Sequence, residues 1–535
     1  MRRRHYHSGM ELTMVIIIMG MISAIGLAVL QMVSAQNKLS SREIRQQQTF
    51  QVAEAGVNYY RWRLAHYPND YKDGTNAAGP YIHDFRDATG QIIGRYELSI
   101  TPPVTGSTIA TIISSGYLLS QPNARRTITV KLGLPSLSKY AVVANADMRF
   151  GAGTETFGPV HSNGGIHFDG IAHGLVSSAQ TTYTDTDHDQ NGNIYGLKPG
   201  VWSLNNETAT FLGGKQVGVP AVNFNGITVD LAALKTLASS SGGLLLPSSS
   251  AQGYHLTFRT DDKVDIRKVV AQLRCQYNNS GAWKNYGFCS NNYNAPCSQD
   301  STCGGGNACI FSSFSIGTGA TDQVVYQLGV PLPANGIIFV PEDTWVDGTI
   351  DSARVTVVAA ADLITTGNAN IYVNDDLKYT HIDGQDVIGL IAQNNILTGY
   401  FSKDNITIDA ALIAQKGRVG RPYYGAGFTN STNNNNFRLF PVGSKNPAGT
   451  TTCQEYRKRS SLTAFGSLAT NQRYGFAWVA GSSPTAPPYF SCGGGLFNDS
   501  GYCGRTLNFD SNLTFAPPPS FPTSGEYSII SYIEQ

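Results

Sequence analysis

Side chains that carry oxygen recur at alternate positions in one short stretch of the chain. They are Asp185, Asp187, Asp189, Asn191 and Asn193. Carboxylate and amide oxygens are the ligands that hard divalent cations prefer, and several of them in one turn can surround an ion. The stretch is therefore the first candidate for a binding site.

The spacing of this stretch is typical of the start of an EF-hand calcium loop. Counted from Asp187, oxygen donors stand first, third and fifth, Gly192 is sixth and Ile194 is eighth. The twelfth position should carry an acid and is Lys198, so Asp185 or a distant carboxylate would have to replace it. Two interpretations stay open: a structural calcium ion held through Asp187, Asp189 and Asn191, or a solvated Asp/Asn turn. No other cofactor is predicted.

Four histidines lie within 28 residues of one another: His161, His167, His173 and His188. If His161 and His167 lie on neighbouring strand faces they could bind a transition metal. The alternative is a set of scattered surface histidines.

An acidic group further along the chain raises the question of catalysis. Asp343, Asp347, Asp351 and Arg354 resemble the residues that polysaccharide lyases and hydrolases place on a solenoid face. However, the sequence has no nucleophile elbow, phosphate loop or His-Glu-x-x-His motif. We predict that the protein is not an enzyme. The alternative is a membrane-tethered enzyme that acts on surface polysaccharide.

Eight cysteines lie in two clusters in the second half of the chain, and their even number predicts disulfide bonds in an oxidising compartment. A zinc site is the alternative for the evenly spaced Cys297, Cys303 and Cys309, but no Cys-x-x-Cys pair is present. Both clusters have an odd number of members, so complete pairing requires at least one bridge between them. The clusters are Cys275, Cys289, Cys297, Cys303 and Cys309, followed by Cys453, Cys492 and Cys503.

Composition limits the class of protein. Charged residues make up 14% of the chain and the net charge is +1, which argues against a nucleic-acid partner. The 57 glycines beside 41% hydrophobic residues favour β-rich domains with many turns over disorder.

The N-terminus carries an uncharged apolar run from Met14 to Leu30, preceded by Arg2, Arg3 and Arg4. By rise per residue the run is about 25 Å long, enough to span a bilayer core with its flanks. We predict a single span at about residues 12–33, with the N-terminus in the cytoplasm and the remainder outside, at the cell surface.

The helical pattern continues beyond the apolar run. Apolar residues recur at steps of three and four up to Leu64, and Pro68 ends the pattern. A secretory signal peptide would instead end at a cleavage site such as Ser34-Ala35-Gln36. The sequence therefore predicts one helix over residues 10–67, apolar in its first half and amphipathic in its second.

Two motifs in this region carry a family resemblance. Ser8-Gly9-Met10-Glu-Leu-Thr is similar to the leader and cleavage motif of type IV prepilins, and Thr49-Phe-Gln-Val-Ala-Glu-Ala-Gly-Val57 resembles PilX-type minor pilins. The resemblance implies a leader at residues 1–9, cleavage between Gly9 and Met10 by a prepilin peptidase, and methylation of Met10. It also implies packing against other pilins through the N-terminal helix.

The sequence departs from the pilin pattern at one position. Pilins carry Glu at the fifth position after the cut, whereas this chain has Met14 there and Glu11 at the second. The missing acid resembles subunits at a filament tip. Alternatively, Glu11 replaces it.

The rest of the chain is predicted to be mostly β, so the fold class is α+β. Residues 68–136 are predicted to form a small antiparallel sheet packed on the helix. Residues 137–430 are predicted to form an irregular right-handed parallel β-helix, or alternatively a β-sandwich, with a Cys-rich insertion at 273–325. Residues 431–535 are predicted to form a Cys-containing region with a Pro-rich strap.

Together these patterns predict a minor pilin or pseudopilin. Its β-rich part would serve assembly, adhesion or the binding of an unknown surface or protein ligand. The stapled insertion, with Trp283, Tyr286 and Phe288, is one candidate binding surface, and a merely stabilised insertion is the alternative.

Overall fold

The computed structural model of the chain describes most of its residues. The described ranges are 10–189, 193–224, 230–279, 282–285, 287–289, 292–297, 300–310, 313–317, 319, 322–362, 366–424, 437–441, 456–479, 490–493, 496–523 and 526–534.

The first helix, α1 (Met10–His66), is a single element of 57 residues. At 1.5 Å per residue it is about 85 Å long. Its C-terminal part buries one face, formed by Val52, Ala53, Val57, Tyr60 and Leu64. The predicted long helix is confirmed.

Four strands follow α1 and pair in chain order as an antiparallel sheet. They are β1 (Tyr81–Arg86), β2 (Ile92–Thr101), β3 (Ile109–Leu118) and β4 (Gln121–Gly133). The buried residues Leu98, Ile112, Val130 and Leu132 alternate with more exposed ones along β2 to β4, as expected for a sheet with one covered face.

The helix approaches this sheet closely because two glycines lie at the contact. A Cβ added to Gly116 would lie 2.3 Å from the backbone nitrogen of Ala53, and one added to Gly56 would lie 2.3 Å from Oγ of Ser114. The Ser114 hydroxyl donates a hydrogen bond to the carbonyl of Ala53 at 2.7 Å. Helix and sheet are thus in backbone contact.

The chain divides into two units. The first comprises Met1–Val104, Ile109–Gly133 and Gly525–Gln535, and the second comprises Thr105–Thr108 and Leu134–Ser524. The second unit is therefore inserted in the sequence of the first.

In its described residues, the second unit contains the helices α2 (Glu207–Thr210) and α3 (Leu231–Ser239) and 34 strands. The strands are β5 (Val142–Ala144), β6 (Met148–Phe150), β7 (Thr154–Phe157), β8 (Val160–Ser162), β9 (Ile166–Phe168), β10 (Ile171–Ala172), β11 (Val176–Ser178), β12 (Thr182–His188), β13 (Ile194–Pro199), β14 (Val201–Trp202), β15 (Lys215–Val217), β16 (Leu244–Leu245), β17 (Tyr254–Arg259), β18 (Lys263–Val269), β19 (Leu273–Asn279), β20 (Ala282–Asn285), β21 (Gly287–Cys289), β22 (Asn292–Cys297), β23 (Cys309–Ile310), β24 (Gln323–Pro331), β25 (Ile337–Val340), β26 (Thr344–Ile350), β27 (Arg354–Ala359), β28 (Ile371–Tyr372), β29 (Leu377–Tyr379), β30 (Val387–Ala392), β31 (Ile396–Leu397), β32 (Asn405–Ala414), β33 (Val419–Gly420), β34 (Phe437–Pro441), β35 (Lys458–Thr470), β36 (Ala477–Val479), β37 (Phe490–Gly493) and β38 (Leu496–Phe509).

Most of these strands are stacked in parallel, which confirms the predicted β-helix over the alternative β-sandwich. One stack runs β16, β25, β27, β30, β32, β35, β5, β8, β11 and β15. A second runs β17, β26, β29, β32, β35, β38, β7 and β10. Aliphatic and aromatic residues such as Val160, Ile338 and Leu390 fill the interior.

The rungs are not stacked in chain order. Strand β35 pairs with β5, so that Leu468 lies opposite Val142, and β38 pairs with β7, so that Arg505 lies opposite Thr154. Strands from both ends of the inserted segment therefore meet in the middle of the stack. The strands over residues 458–509 belong to the same sheet as β5, so this sheet continues past the boundary that we predicted at residue 430.

Two of the polar interruptions form small antiparallel sheets of their own. Strands β12 and β13 make a hairpin, and β21 pairs with both β22 and β23. The hairpin holds most of the predicted calcium residues.

The last strand, β39 (Ser528–Glu534), pairs antiparallel with β4. The C-terminal region thus ends as the fifth strand of the first sheet. In the Pro-rich segment before it, the carbonyl oxygens of Ala516 and Pro517 accept hydrogen bonds from the Arg354 guanidinium at 2.8 and 2.7 Å.

Candidate functional site

The N-terminal half of α1 exposes a continuous apolar surface. An 18-residue window of this helix has the length and composition of a membrane span, and none of that window is buried within the chain. Ile16, Ile22, Leu27 and Leu30 are each about 60% or more exposed. A free surface of this kind is costly in water and requires lipid or other helices around it.

The residues of the predicted processing motif lie at the start of this helix. Gly9 is outside the described residues, and Met10 is the first residue of α1. Glu11 is in the first turn, and the side chain of Met14 is 66% exposed. Cleavage between Gly9 and Met10 stays a prediction.

The hairpin β12–β13 carries the described members of the oxygen-rich stretch, and each has a partner within the chain. The two carboxylate oxygens of Asp187 accept hydrogen bonds from the Arg473 guanidinium at 2.8 and 2.5 Å. The Asp189 carboxylate accepts from the backbone and side-chain nitrogens of Asn193 at 2.8 and 3.1 Å. Asn191 is outside the described residues.

The buried centre of this region is His167, on β9 in the β-helix. Its Nε2 lies 2.9 Å from Oδ2 of Asp169 and its Nδ1 lies 3.0 Å from Oδ2 of Asp185. Neither contact has the geometry of a hydrogen bond, and both are ion pairs when the imidazole is protonated. Trp202 stacks on the imidazole at 4.0 Å, and the Trp202 indole N–H donates to Tyr183 Oη at 3.0 Å.

Burial and charge act in opposite directions on these groups. Burial lowers the pKa of His167, but its two carboxylate partners raise it more, so the net shift is upward. Burial raises the pKa of Asp169 and of Asp185, but their other contacts, first among them His167, lower each by more. A histidine with a carboxylate at each nitrogen is therefore favoured in its protonated form.

The network is balanced in charge when His167 is protonated. Arg149 lies 3.7 Å from both Asp169 and Asp187, and Arg473 pairs with Asp187. Three carboxylates then face three cations, and the attraction between them offsets part of the desolvation penalty of the buried members.

This arrangement bears directly on the predicted calcium site. The ligand atoms of His167, Asp185 and Asp187 lie within 4.8 Å of one another, but the carboxylates point at cations and N–H donors. Calcium would have to replace Arg473 at Asp187, so the residues as arranged do not fit the ion. Calcium binding here stays a prediction.

Two of the other histidines have partners of their own. The imidazole of His161 lies 3.0 Å from Ser177 Oγ through Nδ1, and burial lowers its pKa. His173 contacts Glu155 at 2.7 Å. The side chain of His188 is outside the described part. The contacts of His161 and of His167 share no partner, and a transition-metal site at this pair stays a prediction.

The residues considered for catalysis each have partners of their own. Asp343 accepts from Asn370 and from Tyr372 Oη (3.0 Å), and burial raises its pKa to about 6. Asp347 contacts His255 at 2.7 Å, and Asp351 lies 3.4 Å from His381. The Arg354 guanidinium donates only to main-chain carbonyls in its described contacts.

Three disulfide bonds are present in the described part. They join Cys289 to Cys303, Cys297 to Cys309 and Cys492 to Cys503. The evenly spaced cysteines are thus in disulfides and not in a zinc site. Of the remaining two, Cys453 is outside the described residues, so the bridge between the clusters stays a prediction. Tyr286 of the candidate binding surface also lies outside the described residues.

The sequence indicated Asp185 and Asp187 but missed the groups that engage them. Arg149, Asp169 and Arg473 belong to other strands or turns, and Arg473 is 286 residues from Asp187. The close recurrence of His167 and Asp169 in the sequence was the only local signal.

The comparisons with known proteins bear on the N-terminal region. A sequence model of the PilX N-terminal family matches residues 8–58, and a search of the curated proteins found no match. The solved structure of the competence-associated pilin ComZ from Thermus thermophilus matches 92% of this chain and 97% of that chain, at 12% identity and a TM-score of 0.25. That TM-score is too low to support an argument. The family match falls on α1 and the two residues before it, as the two motifs predicted, so residues 8–58 of this chain are similar to the N-terminal region of PilX proteins.

Proposed function

We propose that this chain is a minor pilin or pseudopilin subunit of a type IV pilus-like filament. One observation supports this most strongly: α1 is a single helix whose first part is apolar and exposed and whose second part packs on a sheet. Such a helix can span a membrane and later pack against the helices of neighbouring subunits without refolding.

The proposal includes the processing step and the orientation. The leader is removed after Gly9 on the cytoplasmic side, and the part of the chain beyond about residue 34 lies outside the cytoplasmic membrane. The disulfide bonds support an extracytoplasmic location for this part of the chain, since such bonds persist in oxidising compartments.

The inserted β-helix is the part that the subunit displays. A parallel β-helix presents long, rigid faces, and extended faces of this kind suit protein or surface ligands. The disulfide-stapled insertion near residues 287–310 adds a polar loop region to it. We assign this unit to assembly, adhesion or partner binding.

The absence of an acid at Met14 supports a position at the filament tip. In pilins the acid at this position is thought to pair with the free N-terminus of a neighbouring subunit, and a tip subunit has no neighbour above it. Glu11, in the first turn of α1, is the alternative partner.

No observation on the described residues favours the polysaccharide enzyme. The residues considered for it are engaged separately, Asp347 by His255 and Arg354 by main-chain carbonyls. We therefore propose a structural, non-enzymatic role.

The test is incorporation into filaments. The full chain, produced together with a type IV pilus machinery, is expected in the sheared filament fraction. Gly9→Ala should keep the chain in the membrane fraction, because the leader is retained, whereas the neighbouring change Ser8→Ala should have little effect. Equal recovery of the Gly9→Ala and unchanged chains in filaments would overturn the proposal.

A further inference from the structure

A second basic group lies on α1, beyond the far end of the membrane-spanning segment. Lys38, Arg42 and Arg45 are separated by steps of four and three residues, so they lie on one face of the helix. All three are exposed, and none has an ion-pair partner within the described part of the chain. We refer to these three residues as the basic stripe.

The basic stripe continues the helix face that packs on the sheet. The same steps of three and four lead on to Thr49, Val52, Gly56 and Tyr60, all of which are buried. The sheet therefore covers this face from Thr49 onward, and the stripe occupies the uncovered stretch between the sheet and the membrane-spanning segment. The nearest acid, Glu43, lies about 100° around the helix from Arg42, so it does not neutralise the stripe.

The stripe begins at the depth of the lipid headgroups and extends outward from it. Lys38 is five residues beyond Val33, or about 7.5 Å along the axis, and Arg45 is about 18 Å along it. The headgroup zone occupies about 5–8 Å on each side of the bilayer core, and the surface potential extends about one Debye length, roughly 8 Å, further. Long Lys and Arg side chains can extend back toward the phosphates.

Basic residues at this place require an explanation. Lys and Arg are depleted on the non-cytoplasmic flank of a membrane span, yet three stand here on one face. We propose that the basic stripe binds the phosphate groups of anionic phospholipids in the outer leaflet of the cytoplasmic membrane, on the side where the first sheet and the β-helix lie. This rests on the proposed membrane span, and it adds a lipid contact that holds the subunit before it enters a filament.

The lipid class follows from the chemistry of the stripe. Guanidinium and ammonium groups pair with phosphate oxygens by charge-assisted hydrogen bonds, and each basic residue near an anionic surface strengthens binding about fivefold. A zwitterionic lipid offers the same phosphate with a compensating cation. The stripe should therefore bind anionic lipids more tightly than zwitterionic ones.

The test uses the full chain in detergent with equal amounts of phosphatidylglycerol and phosphatidylcholine, and native mass spectrometry to count the retained lipids. The unchanged protein is expected to retain phosphatidylglycerol at least about fivefold more than phosphatidylcholine. The triple variant Lys38→Gln, Arg42→Gln, Arg45→Gln should lose this preference.

The matched control removes three exposed basic residues of the same unit that lie away from the stripe. It is the triple variant Arg61→Gln, Lys72→Gln, Lys131→Gln, whose members are exposed and which changes the net charge by the same amount. The control should keep the lipid preference. Loss of the preference in both triple variants, its retention in the stripe variant, or its absence from the unchanged protein would each overturn the proposal.

A separate measurement distinguishes this proposal from the proposed function. All three proteins are mixed with phosphatidylcholine vesicles and floated on a density gradient. Proteins that float but show no preference for phosphatidylglycerol contradict the basic stripe alone. A chain that fails to float contradicts the membrane span, and with it both proposals.

Discussion

Asp187 on the hairpin β12–β13 and Arg473 in the segment after β35 form a bidentate ion pair, with nitrogen–oxygen distances of 2.8 and 2.5 Å. The pair joins parts of the chain that are 286 residues apart, close to where β35 pairs with β5. It places a guanidinium on both oxygens of a carboxylate that the sequence offers as a calcium ligand.

A double-mutant cycle on Asp187→Asn and Arg473→Gln should show a coupling of about 1 kcal/mol, since the pair is geometrically good but Arg473 is partly exposed. Hydrogen exchange of the hairpin amides in the full chain measures the local opening free energy in each variant. Strictly additive effects would contradict the coupling.

Calcium should compete with Arg473 for Asp187. Arg473→Gln removes the closer of the two cations at Asp187 and leaves Arg149 at 3.7 Å, so millimolar calcium should raise the thermal unfolding temperature of this variant by more than that of the unchanged protein. Arg473→Gln combined with Asp187→Asn serves as the control and should lose the response. An equal calcium response in all three proteins would argue against a site at Asp187.

The stability of the hairpin should depend on pH through His167. The folded-state pKa of His167 is raised, so its stabilising effect is fully present below its unfolded value of about 6.5 and is lost as pH rises through the folded value. The pKa values of Asp169 and Asp185 are lowered, so their contribution is present above about 3.9 and is lost as pH falls through their folded values.

The network is thus strongest between these two limits, and His167→Gln should raise hairpin exchange more at pH 5.5 than at pH 8.5. At pH 5.5 the expected cost is about 2–4 kcal/mol, since the change leaves buried carboxylates without their cation. His173→Gln, which removes a half-exposed contact with Glu155, is the control and should change little. A larger increase in hairpin exchange at pH 8.5 than at pH 5.5 would contradict a stabilising role of the protonated imidazole.

The contact between α1 and the first sheet should tolerate no side chain at Gly116. A Cβ there would meet the backbone of Ala53 at 2.3 Å, and backbone cannot rotate away as a side chain can. Gly116→Ala should therefore destabilise the first unit by about 2–4 kcal/mol. Proteolysis of β2 to β4 under mild denaturant provides the measurement. Ser115→Ala on the same strand should cost less than about 0.5 kcal/mol, and similar effects of the two changes would refute the close packing.

The helix and the parallel strands could be predicted because their signals are local. In α1 the buried residues Val57, Tyr60 and Leu64 recur at helical steps of three and four. In β30 and β32 the apolar runs are short and lie close to Gly, Asn or Gln, as expected of strands buried on both faces. Each signal lies within about ten residues of sequence.

The order of the rungs and the ion network could not be predicted in this way. Short apolar segments such as 142–144 and 468–470 would fit against many partners, and only the packed structure selects β35 beside β5. In the same way, nothing near Asp187 in the sequence indicates that its partner is Arg473 rather than an ion.

The N-terminus of the mature protein tests the central claim most directly. The full chain is produced together with a prepilin peptidase, and the N-terminal peptide is identified by mass spectrometry. We expect it to begin at Met10, shortened by the nine residues of the leader and methylated if the peptidase also carries that activity. A chain that still begins at Met1, or one that is cut near Ala35 so that α1 is divided, would contradict a pilin-like subunit.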